Sequence, residues 1–128
     1  MSVPPGNVAG VGNKLALGAY GEGLAAEFLT AAGMTITHRN WRCRYGELDI
    51  VGQIGDEIVF VEVKTRTGRG FGIPAEAVTL DKQGRIRRLA LLWLAERAGT
   101  YAPIRFDVVS VLIEFGREPV IEHLPGVF

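Results

Sequence analysis

A glycine-aspartate pair between two β-rich runs places the strongest constraint on how this chain can fold. Residues 46–66 read GELDIVGQIGDEIVFVEVKTR, with Gly55-Asp56 separating the two runs. Glycine followed by aspartate suits the two-residue turn of an antiparallel hairpin. A turn at these positions fixes every pairing along the hairpin, and it brings Asp49 directly opposite Glu62.

The same register sorts the hairpin side chains into two faces, because successive residues of a strand point to opposite sides of a sheet. The face opposite the acid pair is entirely apolar and is predicted to be core. It carries Leu48, Ile50, Gly52, Val59, Val61 and Val63. The acid pair shares its face with Glu47, which the register places opposite Lys64.

Two carboxylates in direct opposition are costly. Opposed residues on an antiparallel pair have Cβ atoms about 4.5–5.5 Å apart, and like charges there destabilise the sheet. At about 4.5 Å and an effective dielectric of about 20, Coulomb's law gives about 3.7 kcal/mol of repulsion. A bound proton, the ammonium of Lys64 or a divalent cation could each offset that repulsion.

The cation alternative implies a particular chemistry. Asp49 and Glu62, supplemented by a backbone carbonyl and waters, supply the few oxygen ligands that Mg²⁺ usually takes from a protein. Lys64 lies two residues after Glu62 and therefore on the same strand face. Acids, a cation and a lysine at one point suit phosphodiester hydrolysis, in which positive charge stabilises the transition state. The alternative is an exposed Glu and Lys ladder that only solubilises one face.

The remaining sequence predicts one domain over residues 15–128 behind a flexible tail, residues 1–14. A first helix runs from Leu15 to Ala32 with an apolar stripe of Leu17, Tyr20, Leu24, Phe28 and Ala31, and Gly33 ends it. A strand follows, then the hairpin, a glycine-rich loop over residues 65–78, a second helix capped by Thr79, and strands at IRFDVVSVLI and PVIEHL. The order α-β-β-β-α-β predicts an α/β fold with a mixed sheet flanked by helices.

Composition excludes little. The chain has 14 lysines and arginines against 14 aspartates and glutamates, so a nucleic-acid surface must come from local clustering, and basic residues do concentrate between Arg39 and Arg88. Cys43 is the only cysteine, which rules out an internal disulfide and agrees with a reducing compartment. Without a leader or a long apolar run, we expect a soluble cytoplasmic protein with no membrane partner.

Several motifs resemble a known group of proteins. Asp49-Ile50, the later Glu62-Val63-Lys64 and a preceding helix with Gly-Glu resemble the PD-(D/E)XK nuclease superfamily, including archaeal Holliday-junction resolvases. More closely, GxxGExxAxxFL, RNWRCRYGELDIV, VFVEVKTR, FGIPAEAV and RFDVV are similar to the YraN-like bacterial family. The proline of the superfamily's name is replaced by an aliphatic residue, as in the YraN-like pattern.

This resemblance implies a restriction-endonuclease-like core and a nuclease that depends on Mg²⁺ or Mn²⁺ and acts on DNA, including branched or recombination-type structures. By the same resemblance, Asp49 and Glu62 are metal ligands with the backbone of Val63, and Lys64 orients or activates the attacking water. Glu22 is the acid from the first helix that completes the site.

A nucleic-acid partner calls for phosphate contacts around the site. Basic residues on either side of the hairpin and at the start of the second helix are candidates: Arg42, Arg44, Arg66, Arg69, Lys82 and Arg85. One rival function is a catalytically inactive nucleic-acid-binding accessory module on the same fold. Another is a structural or protein-binding domain whose contact, including a homodimer contact, is marked by Leu91 and Leu92.

Overall fold

The computed structural model describes residues 11–68, 78–97 and 102–128. Arg69 and most of the predicted glycine-rich loop lie outside these ranges. Seven elements follow one another: α1 (Val11–Ala31), β1 (Thr35–Cys43), β2 (Gly46–Ile54), β3 (Glu57–Arg66), α2 (Leu80–Ala95), β4 (Ile104–Leu112) and β5 (Val120–Leu124). In the part of the chain described, neither helix is long and apolar enough to cross a membrane.

The strands form one mixed sheet in the order β1-β2-β3-β4-β5. Neighbouring strands are antiparallel except for β3 and β4, which run parallel. A parallel pair requires a crossover, and α2 lies in that connection. The predicted α/β class, a mixed sheet flanked by two helices and consistent with a restriction-endonuclease-like core, is confirmed.

The hairpin register is also confirmed where the two strands pair. Ile54 pairs with Glu57 and Ile50 with Val61, as a turn at Gly55-Asp56 requires. Gly55 has a φ of 60°, a left-handed backbone that glycine adopts without strain. The turn chemistry therefore sets the positions of all residues further along both strands.

Each face of the sheet has its own apolar core. Residues of α1 pack on one face with Ile50, Val61 and Val63, and residues of α2 pack on the other with Val51 and Phe60. The predicted core face is confirmed for Ile50, Val59, Val61 and Val63. The opposite face is also covered, as is usual for a sheet with helices on both sides. Leu48 differs from its predicted place, since it belongs to the α2 cluster rather than lying beside Ile50.

The first helix differs from its prediction in two respects. It begins at Val11, so residues 11–14 belong to it rather than to a tail; residues 1–10 lie outside the described ranges. Its buried face is also rotated: Tyr20 and Phe28 are exposed, whereas Gly21, Ala25, Ala26 and Leu29 are buried. Small side chains let the helix approach the sheet closely, which the spacing of large residues does not reveal.

The second helix follows its prediction. The hydroxyl of Thr79 accepts a hydrogen bond from the Lys82 backbone N–H (3.2 Å), which caps the helix. The buried residues Ile86, Leu89, Ala90 and Trp93 form the predicted stripe against the sheet. This packing holds the first turns of α2, with Lys82 and Arg85, beside the hairpin.

Candidate active site

The candidate site begins where β2 and β3 stop pairing. Their paired residues run from the turn as far as Ile50 and Val61, so Asp49 and Glu62 come one step beyond the last pair. Asp49 Oδ2 instead accepts a hydrogen bond from the Val63 backbone N–H at 2.9 Å. The prediction that Asp49 and Glu62 form a directly opposed pair was therefore wrong. Backbone pairing of β2 with β3 has ended at this point, and the Asp49 side chain makes the contact with β3 instead.

Both acids nevertheless line the same cleft. This cavity of about 210 Å³ is walled by the N-terminal half of β2, the middle of β3 and the first turns of α2, with Glu47, Asp49, Glu62, Lys82 and Arg85 among its lining residues. Burial, the nearby charge of Glu62 and, to a smaller extent, Glu22 and Glu47 raise the pKa of Asp49 to about 8, although the Val63 hydrogen bond acts in the opposite direction. Ionising Asp49 in this cleft is therefore unfavourable, because it adds charge to a buried group of carboxylates.

Glu22 reaches this group of acids because α1 lies close to β3. Gly21 makes the approach possible: a Cβ at that position would overlap the Thr65 hydroxyl oxygen on β3. Burial raises the pKa of Glu22, and the charge of Glu47 raises it further. The structure therefore brings four carboxylates close enough to repel one another: Glu22, Glu47, Asp49 and Glu62.

Asn40 bridges two of the acids. With its amide nitrogen facing the carboxylates, Asn40 donates to Glu22 Oε1 at 2.9 Å and to Glu47 Oε2 at 3.2 Å. Its backbone has a φ of 53°, a left-handed conformation that is uncommon outside glycine and tolerated best by asparagine and aspartate. A strained asparagine that ties β1 to α1 and β2 is an organising residue that the sequence did not indicate.

Two lysines accompany the acids. Lys82 Nζ lies 3.4 Å from Glu62 Oε2 and within hydrogen-bonding reach of Lys64. Burial lowers the pKa of the Lys64 ammonium, and Lys82 lowers it further. Lys82 was predicted only as a phosphate contact on a helix; it lies inside the cleft because α2 packs across the end of the hairpin.

Lys64 lines a second cavity, which has a volume of about 600 Å³. Glu22, Lys64, Thr65 and Arg66 are among its lining residues. Within the described ranges, the buried Nε of Arg66 has no hydrogen-bond partner. Glu22 and Lys64 therefore line this second cavity with Arg66, whereas Asp49 and Glu62 line the acidic cleft.

The predicted phosphate contacts occupy different positions around these clefts. Arg42 is exposed and pairs with Glu47 at 2.9 Å, and the guanidinium of Arg44 lies 5.1 Å from the centre of the Tyr45 ring. Arg85 and Lys82 line the acidic cleft. Trp41, on β1, packs against the apolar core beside α2.

The oxygen atoms at this site suit a hard cation that takes only a few of its ligands from the protein. Among the described residues, no three Asp, Glu, His or Cys side chains meet as a preformed metal site. A cation here would therefore take Asp49, Glu62 and the backbone of Val63, with water completing its shell, which is the pattern that Mg²⁺ prefers.

Two further polar networks are structural. Trp93 Nε1 donates to His38 Nδ1 at 3.0 Å, which fixes β1 against α2. Asp107, completely buried on β4, accepts from Arg105 (2.8 and 2.9 Å) and the Gly126 N–H (2.9 Å), and lies 2.7 Å from His123 Nε2. The sequence suggested no partners for either histidine, because both are remote in the chain from the residues they contact.

Fold and site together define a protein of the restriction-endonuclease-like class. A model of the family described as Uncharacterised protein family UPF0102 matches residues 21–111. The chain belongs to that family, which is a PD-(D/E)XK nuclease-like family, and the expected YraN-like membership is confirmed.

Similar proteins match over almost the whole chain. A UPF0102 protein of Nocardia farcinica is 64% identical over 121 residues, covering 94% of this chain and 95% of that protein. One from Rhodococcus opacus is 57% identical over 116 residues, covering 91% and 98%. One from Mycobacterium tuberculosis is 50% identical over 119 residues, covering 89% and 93%.

Proposed function

We propose that this protein is a divalent-metal-dependent nuclease that hydrolyses phosphodiester bonds in DNA. The observation that carries the proposal is the grouping of Asp49, Glu62 and Lys82 in one cleft of a nuclease-like fold. Glu22 and Lys64 line the neighbouring cavity and are close enough to interact electrostatically with these acids. The acids and the lysines contribute different parts of this chemistry. Their combination offers cation ligands and positive charge at the same place, which phosphoryl transfer requires.

Each residue has a task that follows from its position. Asp49 and Glu62 would hold Mg²⁺ or Mn²⁺ together with the Val63 backbone, and the Val63 N–H keeps the Asp49 carboxylate oriented through its 2.9 Å hydrogen bond. Lys64 would orient the attacking water or stabilise charge on the phosphate. Lys82, paired with Glu62, is a positioning residue for that carboxylate.

The cation would supply what the side chains lack. When bound, a divalent ion stabilises negative charge on a phosphate and favours ionisation of water near neutral pH. It would also remove the cost that burial and neighbouring charges impose on ionised Asp49. Glu22, held beside the cleft by Asn40, would accept a proton from water or contribute to the ion's outer shell.

Cleavage assays test this proposal. Purified protein is incubated with Mg²⁺ or Mn²⁺ and single-stranded, duplex and four-way-junction DNA, beside the variants Asp49→Asn and Lys64→Ala. We expect the wild type to cut at least one substrate and both variants to lose about a hundredfold or more in rate, the scale of one lost electrostatic group.

Asp56→Asn is the matched control, because Asp56 is exposed in the turn of the same hairpin. It should cut at the wild-type rate. Cutting that survives in Asp49→Asn would identify a contaminating nuclease and contradict the proposal. Binding of DNA without cutting under every condition would replace it with the accessory-module function.

A further inference from the structure

A large pocket beside the candidate site has a lining unlike that of the acidic cleft. Its volume is about 560 Å³, and its lining residues are Tyr45, Arg85, Arg88, Leu89, Leu91 and Leu92. Tyr45 and Leu91 are 62% and 64% exposed. Large apolar side chains gathered at one exposed pocket usually mark a binding surface.

The aromatic wall of this pocket is built into the turn between β1 and β2. Gly46, directly after Tyr45, has a φ of 144°, and a Cβ at that position would lie 3.3 Å from Leu89 Cδ1. The turn therefore sits closely on α2 with Tyr45 at its edge. Tyr45 is therefore exposed on a turn that packs against α2.

The pocket is adjacent to the acidic cleft. Arg85 and Leu89 line both cavities, so ligands in the two cavities would lie on either side of these shared side chains. The pocket is thus a neighbouring space for a nucleotide next to a phosphate at Asp49 and Glu62. An apolar pocket with an aromatic wall next to a phosphate site matches the two halves of a nucleotide.

The charges around the pocket favour an anionic occupant. Arg85 and Arg88 line it, Arg44 lies over the Tyr45 ring at 5.1 Å, and among the described residues none that lines it is acidic. A second copy of the chain bound through the same face by two-fold symmetry would bring these arginines toward their own counterparts. A nucleic-acid strand instead offers phosphates to the arginines and a base to the ring.

We propose that the pocket walled by Tyr45, Leu91 and Leu92 binds an unpaired nucleobase next to the phosphate to be cleaved. The inference rests on the proposed function and narrows its substrate class. In a continuous duplex both faces of a base are covered by stacking, so only an unpaired nucleotide can present a face to Tyr45. The preferred substrates are then nucleic acids with a single-stranded segment at the cleavage position.

Binding measured without metal tests this inference independently of cleavage. Fluorescence anisotropy in EDTA compares a blunt duplex with the same duplex carrying a short unpaired tail, and 2-aminopurine in the tail reports stacking. We expect Tyr45→Ala to weaken binding of the tailed duplex about tenfold, as lost aromatic stacking usually does. Blunt-duplex binding should stay unchanged, and Tyr45→Phe should keep wild-type affinity.

Ile54→Ala is the matched control: Ile54 is an exposed apolar residue at the opposite end of β2, and its loss should change neither affinity. Equal losses on both duplexes, or none with Tyr45→Ala, would overturn the inference. So would light scattering that shows Tyr45→Ala dissociating a dimer while tailed DNA binds normally. If wild type binds the tail through Tyr45 but never cuts, the pocket stands and the nuclease proposal fails.

Discussion

Two aspartates of the same sheet show how surroundings determine what a carboxylate does. Asp49 lies among other acids, and burial with the charge of Glu62 raises its pKa to about 8. Burial acts in the same direction on Asp107, but hydrogen bonds from Arg105, the Gly126 N–H and His123 outweigh it and hold the pKa of Asp107 below its usual range. Asp49 is therefore surrounded by like charges, whereas Asp107 has a cationic partner in Arg105.

Replacing Asp49 by asparagine should stabilise the metal-free protein. The pKa of Asp49 is raised from 3.8 to about 8, so the folded state holds the extra proton between those values and wild-type stability falls as pH rises through them. In EDTA at pH 8, the free energy of unfolding of Asp49→Asn should exceed that of the wild type by about 1–3 kcal/mol. The amide oxygen can still accept from Val63.

Urea denaturation at pH 8 and pH 4 measures this difference. The gain should nearly vanish at pH 4, because the folded carboxyl is then protonated and the pH lies close to the unfolded pKa of 3.8. Asp56→Asn, in the exposed turn, should have no effect at either pH. A destabilised Asp49→Asn at pH 8 would show that the acids of the cleft do not repel one another.

Asp107 should behave in the opposite way. Asp107→Asn leaves Arg105 and its neighbours without a buried counter-charge, and we expect a loss of about 3–5 kcal/mol at pH 7. Because the folded pKa lies below 3.8, the stabilisation is present above that pH and is lost as pH falls through the folded value. The difference in stability between wild type and variant should therefore become smaller as the pH is lowered. Acid titration followed by circular dichroism measures it. A constant gap would contradict this assignment.

At the scale of elements, the approach of α1 to β3 decides whether Glu22 reaches the cleft. Gly21→Ala places a methyl group where Thr65 already lies, so we expect a loss of about 1–3 kcal/mol, the usual cost of overpacking. Gly18→Ala is the control, since nothing lies within 4 Å of a Cβ there, and it should stabilise the helix by up to about 1 kcal/mol. Thermal denaturation distinguishes them.

Thr65→Ala in the Gly21→Ala background removes the overlapping atoms and should restore part of the lost stability. If both alanines stabilise the protein equally, α1 does not contact β3 through Gly21, and the position assigned to Glu22 would be wrong.

Helices and strands marked by a turn or capping motif could be predicted from the sequence. The way in which these elements pack against one another could not. The Gly55-Asp56 turn gave the hairpin register, and Thr79 with its following stripe gave α2. The buried face of α1 was missed because it is made of small residues, whose burial depends on contact with β3. Lys82 and Asn40 enter the site through packing between elements distant in sequence, which no spacing along the chain records.

In the molecule as a whole, charge is balanced, and Arg85 contributes positive charge to the acidic cleft. Acidic and basic residues are equal in number, so any DNA binding should depend on local phosphate contacts. Arg85→Ala should weaken binding and reduce the slope of log K against log salt by about one. Arg117→Ala, exposed in the turn between β4 and β5, should leave the slope unchanged. Equal slopes for all three proteins would remove Arg85 from the interface.

The central claim is that the cleft at Asp49 and Glu62 holds a divalent cation. Isothermal titration of the protein with Mn²⁺ tests it most directly, because binding is measured without any assumption about substrate. Wild type and Asp56→Asn should each take up about one ion per chain by these oxygen donors, and Asp49→Asn and Glu62→Gln should take up none. Equal binding by all four proteins, or no binding by the wild type, would contradict the account.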